Sequence, residues 1–288
     1  MKKPIYNAAP LPFMGQKRRF LGEFRKALAT FPDARVFVDL FGGSGLLSHT
    51  VKQERPDARV IYNDYDGYHL RLVNIPRTNA LLADLRQLVG IRPKGQRLPD
   101  EVRERILQRV KEAERTEFVD CITLSSWLLF SGKYVTSFEE LARQGFYNTL
   151  RQEPYRADGY LEGVEIVRAD YRELFEQYRH AEGVVFIVDP PYLSTEVGAY
   201  KCYWKLGDYL DVLKVLDGQS YVYFSSTKSQ IVELMDWVTT STFSGNPFAG
   251  AERREQSVTI NKQAHYTDIM MFKKAGLCGA ENVAPPRV

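Results

Sequence analysis

The stretch that decides the fold is Val184-Val185-Phe186-Ile187-Val188, followed directly by Asp189-Pro190-Pro191-Tyr192. Five apolar residues, mostly β-branched, predict a strand buried on both faces, as at the centre of a parallel sheet. The strand must end at the two prolines, because they donate no backbone hydrogen bond to a central ladder. Ligands bind at the carboxyl ends of such strands, so this corner is a candidate site. Taken alone, it could also be an ordinary Pro-rich turn.

A second segment of the same kind lies nearer the N-terminus. Residues 36–41 read as a buried strand, Gly42-Gly43-Ser44-Gly45 follows at once, and residues 46–54 have a helical pattern. Glycines in such a turn let a ligand approach the backbone closely. The spacing fits neither a dinucleotide fingerprint nor a P-loop. Asp39, at the end of the strand, would offer its oxygens to whatever the turn receives; a tight turn without a ligand is the alternative.

Two further predicted strands end in acidic residues. Residues 60–62 are followed by Asp64 and Asp66, and residues 164–167 are followed by Asp170. An acid at the end of the second strand, about 20 residues beyond a glycine turn, is the usual acceptor for ribose hydroxyls. Asp64 is the preferred candidate, and Asp66 is expected to cap the next helix.

The composition changes between residues 90 and 160, which we interpret as an inserted, mainly helical unit and call the inserted segment. A basic linker at its start carries Arg92, Lys94 and Arg97, and residues 131–158 interleave Lys133, Arg143, Arg151 and Arg156 with aromatic residues. Such interleaving suits contacts with phosphates and bases, although a solvated lobe would look similar. Residues 1–89 and 161–275 are then one discontinuous α/β domain, with a Gly-rich loop at 244–256 that carries Arg253 and Arg254. Residues 276–288 read as a disordered tail.

Composition narrows the class of protein. The chain has 288 residues, 44% hydrophobic and 26% charged, which is ordinary for a globular protein. No apolar run is long enough to span a membrane, and no signal peptide is recognisable, so a cytoplasmic protein is expected. The 3 cysteines and 4 histidines lack the spacing of metal ligands, so no metal is expected.

In their order along the chain, these motifs resemble those of the Dam-type (D12 class) DNA N6-adenine methyltransferases. The matching stretches are Pro12-Phe13-x-Gly15-x-Lys17, Phe41-x-Gly43-x-Gly45, the strand end at Asp64, Asp170-Tyr171, and Asp189-Pro190-Pro191-Tyr192. The resemblance covers about residues 10–88 and 163–240. It stops in the inserted segment, so the family's GATC target is not carried over.

The resemblance implies a Rossmann-like methyltransferase that transfers a methyl group from S-adenosylmethionine to the N6 amino group of a flipped-out adenine. Asp189 and the carbonyl of Pro190 would each accept one N6–H, which frees the nitrogen lone pair for attack on the sulfonium methyl. Pro191 would help to fix the corner, and Tyr192 would stack on the extruded base. The product would be S-adenosylhomocysteine, and no metal is required.

The residues that the resemblance assigns to the cofactor are Phe13, Gly15, Lys17, Asp39, Phe41, Gly43, Gly45, Asp64, Asp170 and Tyr171. Lys17 and the backbone near Gly15 would face the methionine carboxylate. Asp64 would take the ribose hydroxyls. Asp170 would accept from the cofactor's adenine, with Tyr171 or Phe13 on that ring.

Three other readings stay open from the sequence. N4-cytosine and RNA N6-adenine methyltransferases also carry an Asp-Pro-Pro-Tyr corner. A non-catalytic DNA-binding remnant belongs to a different class, but it would have no need of the acid and the glycines. The expected partner is double-stranded DNA, with a companion restriction endonuclease as a further candidate, in a bacterial or phage-encoded setting.

Overall fold

The computed structural model describes residues 4–130, 133–149, 151–191, 206–227, 229, 231, 233–234, 236–237, 246–259 and 265–275. The predicted tail at 276–288 lies outside these residues. Among the helices of the described part, none is long and apolar enough to cross a membrane.

A single mixed sheet forms the centre of the molecule. Its strands are β1 (Val36–Asp39), β2 (Arg59–Asn63), β3 (Glu165–Val167), β4 (Val184–Val188), β5 (Tyr221–Ser226), β6 (Glu252–Thr259) and β7 (His265–Lys273). Their order across the sheet is β3-β2-β1-β4-β5-β7-β6. The first five strands in this order run parallel, whereas β7 is antiparallel to both β5 and β6. The α/β, Rossmann-like prediction is therefore confirmed.

Helices cover both faces of the sheet. The α-helices that can be delimited within the described residues are α1 (Leu21–Ala29), α2 (Leu46–Glu54), α3 (Tyr68–Val73), α4 (Ile75–Val89), α5 (Asp100–Thr116), α6 (Cys121–Leu128), α7 (Phe138–Ala142), α8 (Tyr171–Tyr178) and α9 (Leu206–Leu216). On β4, Val185 and Ile187 pack into the core that includes α1, α2 and α4, while Phe186 packs into the core that includes α8 and α9. Burial on both faces explains why the strand is uniformly apolar.

The strand order reverses between β1 and β4, the neighbouring strands at the centre of the sheet. In an open α/β sheet this reversal leaves a crevice at the carboxyl ends of the strands, because the connections on either side turn away from each other. Asp39 ends β1, and Asp189 directly follows β4. The topology therefore brings two of the predicted site residues to one crevice.

The inserted segment is mainly helical, with α5, α6 and α7 inside it. Its apolar residues, among them Val102, Ile106 and Leu124, belong to the same buried cluster as α1, α2 and α4. An ion pair between Arg109 and Asp84, 2.7 Å apart, also joins α5 to α4. The segment thus packs against the core of the α/β domain; its separation at residues 90 and 160 as a domain stays a prediction.

The predicted loop at 244–256 is wrong at its C-terminal end, because β6 begins at Glu252. Arg253 and Arg254 therefore lie on a strand at the edge of the sheet. Arg253 forms an ion pair with Glu255 at 2.7 Å, and Arg254 forms one with Glu252 at 2.9 Å. In each pair the two residues are two positions apart and therefore lie on the same face of the strand. An edge strand need not bury its side chains, and charges there discourage pairing with another chain. The stretch consequently lacks the apolar alternation that signals a strand.

Candidate active site

The corner after β4 is fixed by neighbours on both sides. Lys17 reaches Asp189 from the N-terminal loop, with 2.5 Å between Nζ and Oδ2, and also donates to the carbonyl of Gly15 at 2.9 Å. The carbonyl of Pro191 accepts a hydrogen bond from the hydroxyl of Tyr209 on α9. Burial raises the pKa of Asp189, and the ammonium of Lys17 opposes that effect. The site therefore contains a largely buried carboxylate with a single adjacent cation among the described residues.

Asp39 is a second carboxylate in the same crevice, and it is fully buried. Ser48 donates to its Oδ2 at 2.7 Å, whereas Oδ1 has no hydrogen-bond partner among the described residues. Burial raises the pKa of Asp39 to about 7, and the negative charge of Asp189 adds to the rise. The amide of Phe41 lowers the pKa, although it does not reach Oδ1 with the geometry of a full hydrogen bond. An unsatisfied buried oxygen of this kind suits a ligand that donates a hydrogen bond.

Asp39→Asn is expected to change the pH dependence of stability. The folded chain keeps the Asp39 proton up to about pH 7, whereas the ordinary pKa is 3.8, so the wild-type free energy of unfolding falls as pH rises between these values. Asparagine cannot ionise and escapes this loss. Between pH 4 and pH 8, the free energy of unfolding of the variant should rise by up to about 4 kcal/mol relative to that of wild type. Urea unfolding at both pH values checks this, with Asp57→Asn as an exposed control; an equal difference at both pH values contradicts it.

The glycine turn after β1 needs glycine for two different reasons. A Cβ at Gly42 would lie 2.2 Å from the ring of Tyr62, and a Cβ at Gly43 would lie 3.1 Å from the ring of Phe13. Gly43 also has φ +50°, which favours glycine. Gly42 was not singled out from the sequence, because its requirement comes from packing against β2. The turn thus packs closely against the rings of Tyr62 and Phe13, which leave no room for a side chain at Gly42 or Gly43.

The N-terminal loop that carries Phe13 and Lys17 is held by α3. The hydroxyl of Tyr68 bonds to both backbone groups of Leu11, and Arg71 donates to the carbonyl of Pro12 at 2.9 Å. Arg71 also donates to Asp120, the N-cap of α6, at 2.9 Å. The side chains of Arg71 and Asp120 are only 7% and 1% exposed. A buried ion pair therefore connects the loop of the site to the inserted segment, and no local sequence signal pointed to it.

Asp64 follows β2 at the same edge of the sheet, but its oxygens are engaged within the chain. They accept from the backbone amides of Tyr68 at 2.6 Å and His69 at 2.9 Å, and Tyr62 Oη lies 2.9 Å from Oδ1. Asp64 thus accepts from two amides in the first turn of α3, which begins four residues after it, and so takes on capping that was expected of Asp66. Contact between Asp64 and a ribose stays a prediction.

Asp170 and Tyr171 stand at the start of α8, beyond the end of β3. Asp170 is exposed and caps the helix by accepting from the amide of Arg172 at 2.8 Å. The ring of Tyr171 lies 4.9 Å from that of Phe41, which follows β1, and the guanidinium of Arg172 lies 4.8 Å above it. The two aromatic rings that are predicted to contact the cofactor therefore contact each other, and the guanidinium of Arg172 lies over one of them. Contact of Asp170 with the cofactor's adenine stays a prediction.

The structure thus brings together Lys17, Asp39 and Asp189 on one side and Phe41 with Tyr171 on another. Tyr192, predicted to stack on the target base, lies outside the described residues. No group of three or more His, Cys, Asp or Glu side chains in the described part of the chain is arranged to hold a metal ion.

Comparison with known proteins agrees with this geometry. The family of D12 class N6 adenine-specific DNA methyltransferases matches residues 13–213, which include the glycine turn, the inserted segment and the Asp189 corner. A protein of Haemophilus influenzae named "Putative methyltransferase" is 39% identical over 284 residues, covering 94% of each chain. This chain belongs to the D12 class of N6 adenine-specific DNA methyltransferases.

Proposed function

We propose that this enzyme methylates the N6 amino group of adenine at specific sites in double-stranded DNA, acting on a base flipped out of the helix. The observation that carries the proposal is Asp189, a largely buried carboxylate held between Lys17 and the proline corner at the end of β4. The proposed partner is a companion restriction endonuclease, because methylation at specific sites would protect DNA from cleavage by such an enzyme.

The crevice has features that suit S-adenosylmethionine. The Gly42–Gly45 turn follows β1 at the carboxyl edge of the sheet, where ligands bind in open α/β folds, and the side chains of Tyr62, Phe13 and Leu161 pack against its glycines. Oδ1 of Asp39, which accepts from none of the described residues, suits the cationic amino group of the cofactor's methionine part, which would also stabilise the ionised acid. The contact pair of Phe41 and Tyr171 offers an apolar surface for an adenine ring.

The chain's own contribution to the reaction is made by fixed acceptors. When bound, the cofactor would supply a sulfonium methyl group to the N6 lone pair; the sulfur–methyl bonding pair would stay on sulfur, and the proton released from N6 would pass by way of the Asp189 carboxylate to solvent. Asp189 and the carbonyl of Pro190 each accept an N6–H in this proposal. Their pull draws the nitrogen away from conjugation with the ring, and the charge of Asp189 together with the carbonyl dipole of Pro190 stabilises the positive charge that develops on N6.

The inserted segment offers the most suitable surface for DNA. Among its cations, Lys94, Arg97, Lys133, Arg143 and Arg156 are exposed and form no ion pair with any described residue. By contrast, Arg151 lies over the ring of Tyr155 at 4.7 Å. Unpaired cations attract phosphates without first giving up an internal partner, so this surface is favoured over the paired Arg253 and Arg254 of β6.

Aromatic side chains accompany these cations. Phe130 is 63% exposed, and its ring lies 5.4 Å from that of Tyr147. Tyr147 in turn forms a backbone bridge with Arg97. A cation beside two accessible rings suits contact with both the backbone and the bases of a nucleic acid. The inserted segment is therefore the proposed site of target recognition.

Removing three of these cations should flatten the salt dependence of DNA binding. For Lys94→Ala, Arg97→Ala and Arg143→Ala together, the slope of log K against log salt should shrink by about 2.7, because each neutralised phosphate contributes about 0.9. Fluorescence anisotropy with labelled duplex DNA at several salt concentrations measures the slope. The matched control removes Lys26, Arg179 and Lys214, each of which pairs with an acid three positions earlier in the chain. Equal slopes in the two triple variants would assign DNA binding to another surface.

The activity itself is tested by methyl transfer from tritiated S-adenosylmethionine to duplex DNA, single-stranded DNA and RNA. Digestion of the labelled product to nucleosides should give N6-methyladenosine in its deoxy form, from duplex DNA. Label in RNA or on N4 of cytosine would replace the proposed substrate by one of the alternatives. No label on any substrate, with DNA binding intact, would indicate a non-catalytic DNA-binding protein. Sequencing of methylated DNA then gives the target site.

A further inference from the structure

We propose that Lys17 is a positioning residue of the methyl-transfer step: its ammonium group keeps Asp189 ionised and fixes Oδ2, so that Oδ1 is left to accept the target N6–H. The role goes beyond contact with the cofactor's carboxylate, which the resemblance implies for this lysine. The inference rests on the proposed function, because it concerns the same reaction and the same acceptor.

The geometry around Lys17 is that of a fixed counterion. The 2.5 Å contact between its Nζ and Oδ2 of Asp189 joins residues that lie 172 positions apart in the sequence. Its side chain is only 8% exposed, against 17% for Asp189. Gly15, with φ 78°, lets the loop turn so that its carbonyl accepts from the same ammonium at 2.9 Å. The ammonium is therefore held by two acceptors, which fix its position more firmly than that of an exposed lysine.

The chemistry requires a charge on Asp189. A neutral carboxylic acid would present a hydroxyl that donates, and it would not stabilise the positive charge that develops on N6. Burial favours this neutral form. Among the described residues, the ionisable groups around Asp189 are Lys17 from the N-terminal loop, Asp39 from β1 and Tyr223 from β5. Burial keeps Tyr223 neutral, and Asp39 is itself negative when ionised, so Lys17 is the one of these three groups that favours the charged acceptor.

The first test follows the ionisation of Asp189 directly and requires no substrate. In protein labelled with carboxyl-¹³C aspartate, the Asp189 resonance is identified by its loss in Asp189→Asn and is then titrated. Lys17→Met should raise the pKa of Asp189 by one unit or more, a tenfold change in its ionisation equilibrium, and Lys17→Arg should restore it at least in part. If the pKa of Asp189 were the same in wild type and in Lys17→Met, the proposal would be overturned.

The second test measures single-turnover methylation of duplex DNA against pH at saturating S-adenosylmethionine. The acid limb of the Lys17→Met profile should move to higher pH by as much as Asp189 does, whereas the control Lys26→Met, on an exposed lysine of α1, should follow wild type. A uniform rate loss at all pH values, with weaker cofactor binding, would overturn the proposal and leave Lys17 a cofactor ligand only. If Lys17→Met does not fold, the same comparison is made with Lys17→Gln.

The two tests separate this inference from the proposed function. A wild-type protein that transfers no methyl group to DNA would refute the function, yet the titration would still decide whether Lys17 sets the ionisation of Asp189. A wild-type protein that methylates DNA, combined with coincident acid limbs in wild type and Lys17→Met, would refute the inference and leave the function standing.

Discussion

Asp189→Asn is expected to lower the single-turnover rate of DNA methylation at least about a hundredfold, the usual loss when one preorganised acceptor is removed. Asparagine keeps the size of the side chain but removes its charge. Its oxygen would turn to the ammonium of Lys17, which lies 2.5 Å from the present Oδ2, so its amide NH₂ would face the target amine. Two donors would then oppose each other where an acceptor is required. Asp189→Ala, which leaves no acceptor, should lose at least as much.

The affinity for the cofactor separates this effect from general damage to the crevice. The glycine turn and the ring pair of Phe41 and Tyr171 do not depend on Asp189, so calorimetric titration with S-adenosylhomocysteine should give nearly wild-type binding. Asp57→Asn, at an exposed position before β2 and away from the crevice, is the control and should keep the wild-type rate. A rate for Asp189→Asn near that of wild type would remove Asp189 from the mechanism.

The central part of the fold could be predicted because its signals are local. The apolar run of β4 and the proline corner after it are contiguous in sequence, and burial on both faces dictates their composition. The same holds for the glycine turn and for α2, which spans residues 46–54 as expected. These elements carry Asp39 and Asp189, so their positions at one edge of the sheet followed from the topology alone.

The individual roles of the acidic residues were harder to predict from the sequence. Asp64 and Asp66 both follow β2, and only the start of α3 at Tyr68 decides which of them caps the helix. Boundaries of this kind are uncertain by a few residues when only the sequence is known, and a shift of two residues exchanges the two roles. The Gly42 requirement has a similar origin, because the ring it must avoid belongs to β2, twenty positions further along the chain.

Interactions between residues that lie far apart in the sequence could not be predicted from the sequence. Lys17 was expected at the cofactor, yet its contact with Asp189 depends on how the N-terminal loop folds against the end of β4. The ion pair of Arg71 with Asp120 likewise joins α3 to α6. Neither pair forms a motif in the sequence, since the partners are brought together by packing that no spacing encodes. Both pairs nevertheless hold the loop that carries Phe13 and Lys17.

Asp120→Ala is accordingly expected to destabilise the protein by about 3–5 kcal/mol, because it leaves the guanidinium of Arg71 buried without its carboxylate. The same change removes the N-cap of α6, where Asp120 accepts from the amide of Thr123 at 3.0 Å. The Arg71 contact with Pro12 would then have to hold the N-terminal loop with an uncompensated charge nearby. Urea unfolding at pH 7 measures the loss in the free energy of unfolding.

The matched control for this prediction is Glu165→Ala, which breaks an exposed ion pair with Arg59 whose nitrogen and oxygen are 2.9 Å apart. Solvent screens that pair, so its loss should cost no more than about 1 kcal/mol. Arg71→Met combined with Asp120→Leu removes both buried charges and should recover part of the stability lost in Asp120→Ala, because no charge is then left unpaired. Equal losses in Asp120→Ala and Glu165→Ala would show that the buried pair is no more important than a surface one. The connection from α6 to the N-terminal loop would then depend on the apolar contacts alone.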